Sequence, residues 1–308
     1  MDRFEELERL LALRCPTLEL RRDEPMSRHT SFHVGGPVRL MALPKTAGEA
    51  KAALLSAKEL DLDPFFLGNG TNLLVPDRGA ERFLIKPAGK YSVGSLNRVW
   101  EANGLLCAGA AVSLANLAGC ALGRSLTGLE FAQGIPGSVG GGVTMNAGAY
   151  GGELAQVLDS VTVLDKAGQE HTFSAGQCGL GYRRSIFSGG DYLILAASFR
   201  LEPGDPAAIE TRMKELATKR QEKQPLEYPS AGSTFKRPEG YFAAALIDQC
   251  GLKGLTVGGA QVSEKHAGFV INKGGATCSD ILTLVEQIRE RVKSSTGVEL
   301  ELEVKILR

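Results

Sequence analysis

The chain has 308 residues with 35 basic and 35 acidic side chains, a net charge of zero that argues against nucleic acid or an anionic membrane as a partner. That length is near the limit of one hydrophobic core, so about two or three domains are expected. The six cysteines (Cys15, Cys107, Cys120, Cys178, Cys250 and Cys278) contain no C-x-x-C and the four histidines are scattered. This pattern offers neither a metal site nor a disulfide frame and reads as buried thiols of a reducing compartment.

At the N-terminus Phe4, Leu7, Leu10 and Leu11 stand at helical spacing in an acidic stretch. It lacks the basic, apolar and small-residue regions of a secretory signal, so a cytoplasmic protein is expected. Ala47–Leu60 reads as an amphipathic helix opened by Thr46 and Glu49 in a capping-box arrangement. The strand-like run Phe65-Phe66-Leu67 leads at once into Gly68-Asn69-Gly70-Thr71-Asn72 and then Leu73-Leu74-Val75-Pro76. Gly and Asn tolerate the left-handed conformation, so this turn exposes several N–H groups together. Trp100 reads as core. Leu105–Gly123 carries no charge, but Gly109 and Ser113 punctuate it into a buried strand and a short helix, not a membrane span.

Gly128–Gly152 holds nine glycines in 25 residues and no lysine or arginine. Phe131, Ile135, Pro136, Val139, Val143 and Met145 anchor it, which a flexible linker would lack. Successive amides in turns form an anion-binding concavity without cationic side chains; a tight set of turns between strands is the plain alternative. No G-x-G-x-x-G follows a strand and no P-loop is present, so neither common dinucleotide fold is expected.

Val157–Leu164, the turn Asp165–Gly168 and Gln169–Phe173 read as a hairpin, and Tyr192–Leu201 as a strand. Glu202-Pro203-Gly204-Asp205-Pro206 marks the expected domain boundary and opens a helix to about Glu222. Further helices are expected over Tyr241–Cys250 and after Thr277, where Ile281, Leu284, Val285, Ile288 and Val292 share a face. Val298, Leu300, Leu302, Val304 and Ile306 alternate with Glu299, Glu301, Glu303 and Lys305, the mark of a terminal strand. Strands segregate from helices, which reads as α+β.

Five motifs occur in order: Arg28-His29-Thr30-Ser31-Phe32-His33-Val34-Gly35-Gly36, then GNGTNLLV, then GIPGSVGGGVTMNAGAYG, then Tyr182-Arg183-Arg184-Ser185-Ile186-Phe187, and Ala231-Gly232-Ser233-Thr234-Phe235-Lys236-Arg237-Pro238. From about Pro25 to the C-terminus the chain resembles the MurB family, the UDP-N-acetylenolpyruvoylglucosamine reductases. The resemblance implies a two-subdomain FAD-binding domain of the vanillyl-alcohol-oxidase/PCMH type over residues 25–201 (subdomains about 25–90 and 91–201), after an N-terminal helix in 1–24. A smaller α+β substrate domain, 202–308, would follow.

In such a fold the FAD would be held by Gly68, Asn69, Gly70, Thr71, Asn72, Gly134, Ile135, Pro136, Gly137, Ser138, Gly140, Gly141, Asn146 and Gly148. The loop 68–72 contains no histidine and His29 and His33 lie upstream, so non-covalent FAD is expected. NADPH would be the hydride donor, entering the same cleft before the substrate, which accounts for the lack of a second dinucleotide fingerprint. Only Ser188–Asp191 separates Phe187 from the next strand, so the chain resembles the shorter class without a tyrosine-bearing insertion.

The implied substrate is a nucleotide sugar, the enolpyruvyl ether of UDP-N-acetylglucosamine. Hydride addition to its methylene carbon drives charge onto the carboxylate. Arg183 matches the family's carboxylate-binding arginine, whose planar fork suits that group, and Ser233 matches the proton donor. Alternation leaves Glu301 and Glu303 equivalent; the motif selects Glu303. Lys223 aligns with a lysine that meets the substrate diphosphate, and Lys236 and Arg237 lie close enough in sequence to stabilise an alkoxide on Ser233. His266 reads as structural. A monomer without a metal is expected. The competing readings are an FAD-linked oxidase of the same fold and a non-catalytic nucleotide-binding protein.

Overall fold

The structure, a computed structural model, describes residues 2–90 and 92–307. Its contacts divide the chain into two units, neither continuous in sequence: Met1–Arg22, Arg39–Asn69 and Arg82–Thr218 form one, and Asp23–Val38, Gly70–Glu81 and Lys219–Arg308 the other. Compactness thus draws its lines elsewhere than at residues 24 and 202. The Glu202–Pro206 break ends a strand without ending the body it belongs to. Glu202–Pro203 pairs back onto Leu126–Thr127, and the Gly204 amide donates to Ser125 O at 2.8 Å.

In the first unit helix α1 (Arg3–Arg14) and helix α2 (Ala47–Glu59) pack together. Thr46 caps α2 as expected. The Glu49 carboxylate does not close a capping box; it accepts from the Lys45 amide at 2.6 Å and the Thr17 hydroxyl at 2.8 Å. A five-stranded antiparallel sheet runs in the order Glu170–Ser174, Leu158–Asp165, Tyr192–Phe199, Leu105–Gly109, Val99–Ala102. Because strand side chains alternate, Tyr192–Phe199 serves two cores. Ile194 joins one with Leu117, Val139 and Val143. Leu193 and Leu195 join the other with Leu7, Leu54 and Phe83. Helices α3 (Leu114–Leu122) and α4 (Val139–Thr144) cover the first core, as do Ile209, Met213 and Leu216 of α5 (Pro206–Lys223).

The second unit is built on helices α6 (Ala243–Gln249) and α7 (Cys278–Thr296). Thr277 and Asp280 close a capping box at the start of α7, and Gly297 ends it in the left-handed conformation. The apolar face of α7 packs with Leu246, Ile247 and Val304, and with Phe32, Val34 and Leu74 from far upstream. The C-terminal stretch departs from the single strand expected over 298–306. Its alternation holds, but among the described residues pairing is confined to an isolated antiparallel bridge, Phe235 with Leu302, and a short parallel ladder of Lys305–Ile306 on Leu73–Leu74. The chain alongside it changes partners midway, so no one strand runs its length.

Candidate cofactor and active site

Loop 68–72 is a turn fixed through the carbonyls of Gly70 and Asn72 and the Asn72 side chain, while its amides are not engaged. Ser31 N donates to Gly70 O at 3.1 Å, and Lys305 N to Asn72 O at 3.1 Å. Among the described residues, none of the amides of Gly68, Asn69, Gly70, Thr71 and Asn72 donates to an acceptor of the chain. Gly70, at φ +63°, is required twice: a Cβ there would stand 1.9 Å from His29 O. The Ser31 hydroxyl is buried and, among the described residues, has no hydrogen-bond partner. Unpaired buried polar groups are costly, so a run of open amides beside an orphaned hydroxyl fits an anionic ligand such as a diphosphate.

The glycine-rich segment is organised differently. Ser138 caps α4, accepting from Gly141 N at 3.3 Å. The first amides of α4 are consumed within the chain: Val139 N donates to Val112 O at 2.7 Å, Gly140 N to Ala110 O at 3.0 Å and Gly142 N to Ser138 O at 2.7 Å. Gly140 and Gly148 are glycines for packing, because a Cβ would lie 3.1 Å from Ala110 Cβ and 2.7 Å from Glu153 Cβ respectively. Among the described residues Gly134, Gly137 and Ser138 keep amides that donate to no acceptor. A Cβ on Gly141 would meet only Ser138 Oγ, at 3.5 Å. Ile135 and Pro136 complete the turn before the cap.

Asn146, expected among the residues that hold FAD, commits its side chain to the fold. It is 1% exposed. Its Oδ1 accepts from Ala155 N at 2.9 Å and its Nδ2 donates to Gly181 O at 3.3 Å. That second bond pins the turn carrying Arg183, in which the backbones of Gly181 and Arg184 bond reciprocally. Ser185 and Ser188 anchor the same turn through their hydroxyls on Thr144 O, at 2.7 and 3.1 Å. Arg183 itself sits at φ +55°, its guanidinium 5.5 Å from the Tyr182 ring. A left-handed arginine persists only where its surroundings hold it, and such strain clusters at functional sites.

In the second unit Ser233 and Glu303 emerge from paired backbone. Glu303 N donates to Thr234 O at 2.9 Å and Lys236 N to Glu301 O at 2.8 Å, on either side of the Phe235–Leu302 bridge. Thr234 is buried and fixed by Val270 N at 2.9 Å, whereas Ser233 is exposed just after Gly232 at φ +74°. The structure separates the two glutamates that alternation left equivalent. Glu301 is exposed and paired with the Lys236 ammonium, and Glu303 is half-buried. Arg237 lies 4.7 Å from the Phe242 ring. Lys223 is exposed in the last turn of α5, where helix carbonyls favour a cation.

His266 accepts from Gly268 N through Nδ1 at 3.2 Å, and burial holds its pKa below the usual histidine value. Burial raises the Cys178 and Cys278 thiols to about 11, so neither is a nucleophile at neutral pH. Among the described residues no cluster of metal-ligating side chains occurs, and no helix is long and apolar enough to cross a membrane.

Residues 38–174 match the FAD binding domain family, and residues 224–307 match the C-terminal domain of UDP-N-acetylenolpyruvoylglucosamine reductase. Reductases of that name from Clostridium botulinum and Clostridium novyi are each 48% identical to the chain, over 287 and 289 residues. The alignments cover 92% and 94% of this chain, and 91% and 92% of those proteins. The chain belongs to the UDP-N-acetylenolpyruvoylglucosamine reductase family. The reductase (MurB) of Thermus caldophilus shares its fold at a TM-score of 0.80 and 34% identity, over 94% of this chain and 100% of that one. As a family member the chain is a flavin-dependent oxidoreductase with an α+β fold, an FAD-binding domain joined to the reductase C-terminal domain. Motif reading reached the loops of this reductase but missed Ser31, although it stands inside the Thr30-Ser31-Phe32 motif. Only the finding that its hydroxyl is buried without a partner singles it out.

Proposed function

We propose that the chain reduces the enolpyruvyl double bond of UDP-N-acetylglucosamine enolpyruvate to UDP-N-acetylmuramate in peptidoglycan precursor synthesis, with NADPH as reductant. The observation that carries this reading is the backbone pairing of Thr234 with Glu303 in a family member, since it joins the turn that carries Ser233 to the stretch that carries the half-buried Glu303. FAD, when bound, would supply the hydride chemistry between NADPH and the substrate's methylene carbon.

Loop 68–72 holds the cofactor diphosphate by its open amides, with Ser31 as a further donor. Arg183, fixed by its turn, places a planar fork on the substrate carboxylate, where negative charge grows as hydride arrives. One such well-placed donor is worth on the order of 3 kcal/mol. Ser233 delivers its hydroxyl proton to the neighbouring carbon, and Glu303 assists that transfer. Lys236 and Arg237, close to Ser233 in sequence, offset the charge of the serine alkoxide. Lys223 meets the diphosphate of the nucleotide sugar.

Stopped-flow flavin absorbance separates the two half-reactions. Ser233→Ala is expected to keep flavin reduction by NADPH while slowing reoxidation by the enolpyruvyl substrate roughly 10²–10⁴-fold. Glu303→Gln shows the same split. Reoxidation of the Ser233→Ala enzyme at the wild-type rate removes the serine from the reaction and leaves it a turn residue.

A further inference from the structure

Asn72 ends the loop of open amides, yet its side chain turns away from them. Its Nδ2 donates to Glu303 O at 3.1 Å, while its own carbonyl accepts from Lys305 N at 3.1 Å. On the other side of Glu303, its amide donates to Thr234 O at 2.9 Å. The peptide groups flanking the Glu303 side chain are therefore held by two elements, the Ser233 turn and the last residue of the loop 68–72. The parallel ladder of Lys305–Ile306 on Leu73–Leu74 begins one residue beyond Asn72, so the loop and the C-terminal stretch form one hydrogen-bonded piece.

We propose that Asn72 is a positioning residue that sets Glu303 through its carbonyl and ties the setting to the state of loop 68–72. This rests on the role proposed above for Glu303. The physical basis is short. Among the described residues this extended stretch pairs through one isolated bridge and a two-residue ladder rather than a continuous sheet, so a side-chain amide placed between the two adds a restraint at the carbonyl of Glu303. A ligand drawing together the amides of residues 68–72 stiffens the loop, and Asn72 passes that stiffness to the carbonyl of Glu303. A side chain whose peptide is fixed on both sides reaches a reacting atom with less reorganisation.

Hydrogen exchange of the segment 299–307 tests the tie without relying on activity. In the wild-type protein, loading FAD is expected to slow exchange there about fivefold or more. In Asn72→Ala the apo protein exchanges that segment roughly tenfold faster than wild type, the worth of one hydrogen bond, and FAD no longer slows it. Equal exchange in wild-type and Asn72→Ala apo proteins overturns the proposal, and that comparison needs no cofactor if the variant loads FAD poorly.

For the holoenzyme, the rate of reoxidation by enolpyruvyl substrate relative to reduction by NADPH is expected to fall about tenfold in Asn72→Ala. It recovers in part in Asn72→Gln, which keeps the amide donor. Adding Asn72→Ala to Glu303→Gln slows reoxidation no further. An unchanged ratio in Asn72→Ala, where Glu303→Gln is slow, refutes the positioning role alone. A fast Glu303→Gln refutes instead the catalytic reading of Glu303, leaving the exchange result to judge the tie itself.

Discussion

Two glycine-rich stretches that look alike on paper use their backbones in opposite ways. In Gly128–Gly152 the glycines let the chain approach itself. Gly140 lies against Ala110, Gly142 against Leu114 and Leu154, and Gly152 against the Phe131 ring, while the first amides of α4 bond to neighbouring carbonyls and the Ser138 cap. In Gly68–Asn72 the carbonyls of Gly70 and Asn72 are used and, among the described residues, every amide is left open. Glycine content signals close approach in both cases. Whether the approaching partner is the chain or a ligand appears only when each N–H is traced to its acceptor.

Substitutions at the two stretches should separate accordingly. The largest effect is expected at Gly70→Ala, where a Cβ meets His29 O at 1.9 Å in a left-handed residue. The loop must shift, at a cost of about 3 kcal/mol, so FAD affinity measured by fluorescence titration falls roughly 100-fold. Retained affinity would break the comparison outright.

A smaller loss, of the opposite kind, is expected in the glycine-rich segment. Gly142→Ala places a methyl 3.1–3.2 Å from Leu114 and Leu154, lowering unfolding stability by about 1–3 kcal/mol. The folded protein should still bind FAD within about twofold of wild type, since it loses only packing. Gly141→Ala is the matched control, because its Cβ meets only Ser138 Oγ, at 3.5 Å. It should not destabilise the apo protein, and any loss of FAD affinity there marks approach of the cofactor to α4. Gly137→Ala carries no such information, since φ +154° strains any side chain.

The finest distinction falls on Ser31. Ser31→Ala removes a buried hydroxyl without a partner, so the apo protein should melt no lower than wild type. FAD affinity should drop about fivefold, near 1 kcal/mol for one hydrogen bond. A lower apo melting temperature with unchanged FAD affinity would show that the hydroxyl serves the fold.

Periodic elements were the readable part of the sequence. The faces of α2 and α7, the hairpin around Asp165 and the Ser113-capped helix follow from spacing and capping alone, because local pattern and tertiary packing agree there. The C-terminal alternation gave the two faces of the stretch but not its division between two partners, since a partner strand leaves no mark on the residues it pairs with. Asn146 was read as a residue toward the cofactor, and the structural bonds of its side chain were not legible. A buried amide with both ends satisfied by Ala155 and Gly181 has the same sequence signature as a ligand. The interleaved units were not legible at all. The strands Glu19–Pro25, Pro37–Leu43 and Ala80–Ile85 carry the chain from one unit to the other without any interruption in composition.

That interleaving sets the order of events during synthesis. Phe32, Val34 and Leu74 leave the ribosome early, but the helices and strands that cover them, from α6 to Val304, are translated much later. At ordinary elongation rates these apolar side chains wait on the order of tens of seconds for their core. The second unit is therefore a late assembly, closed only once the chain through Val304 has emerged. It is also the part of the molecule for which a nascent-chain chaperone has something to hold.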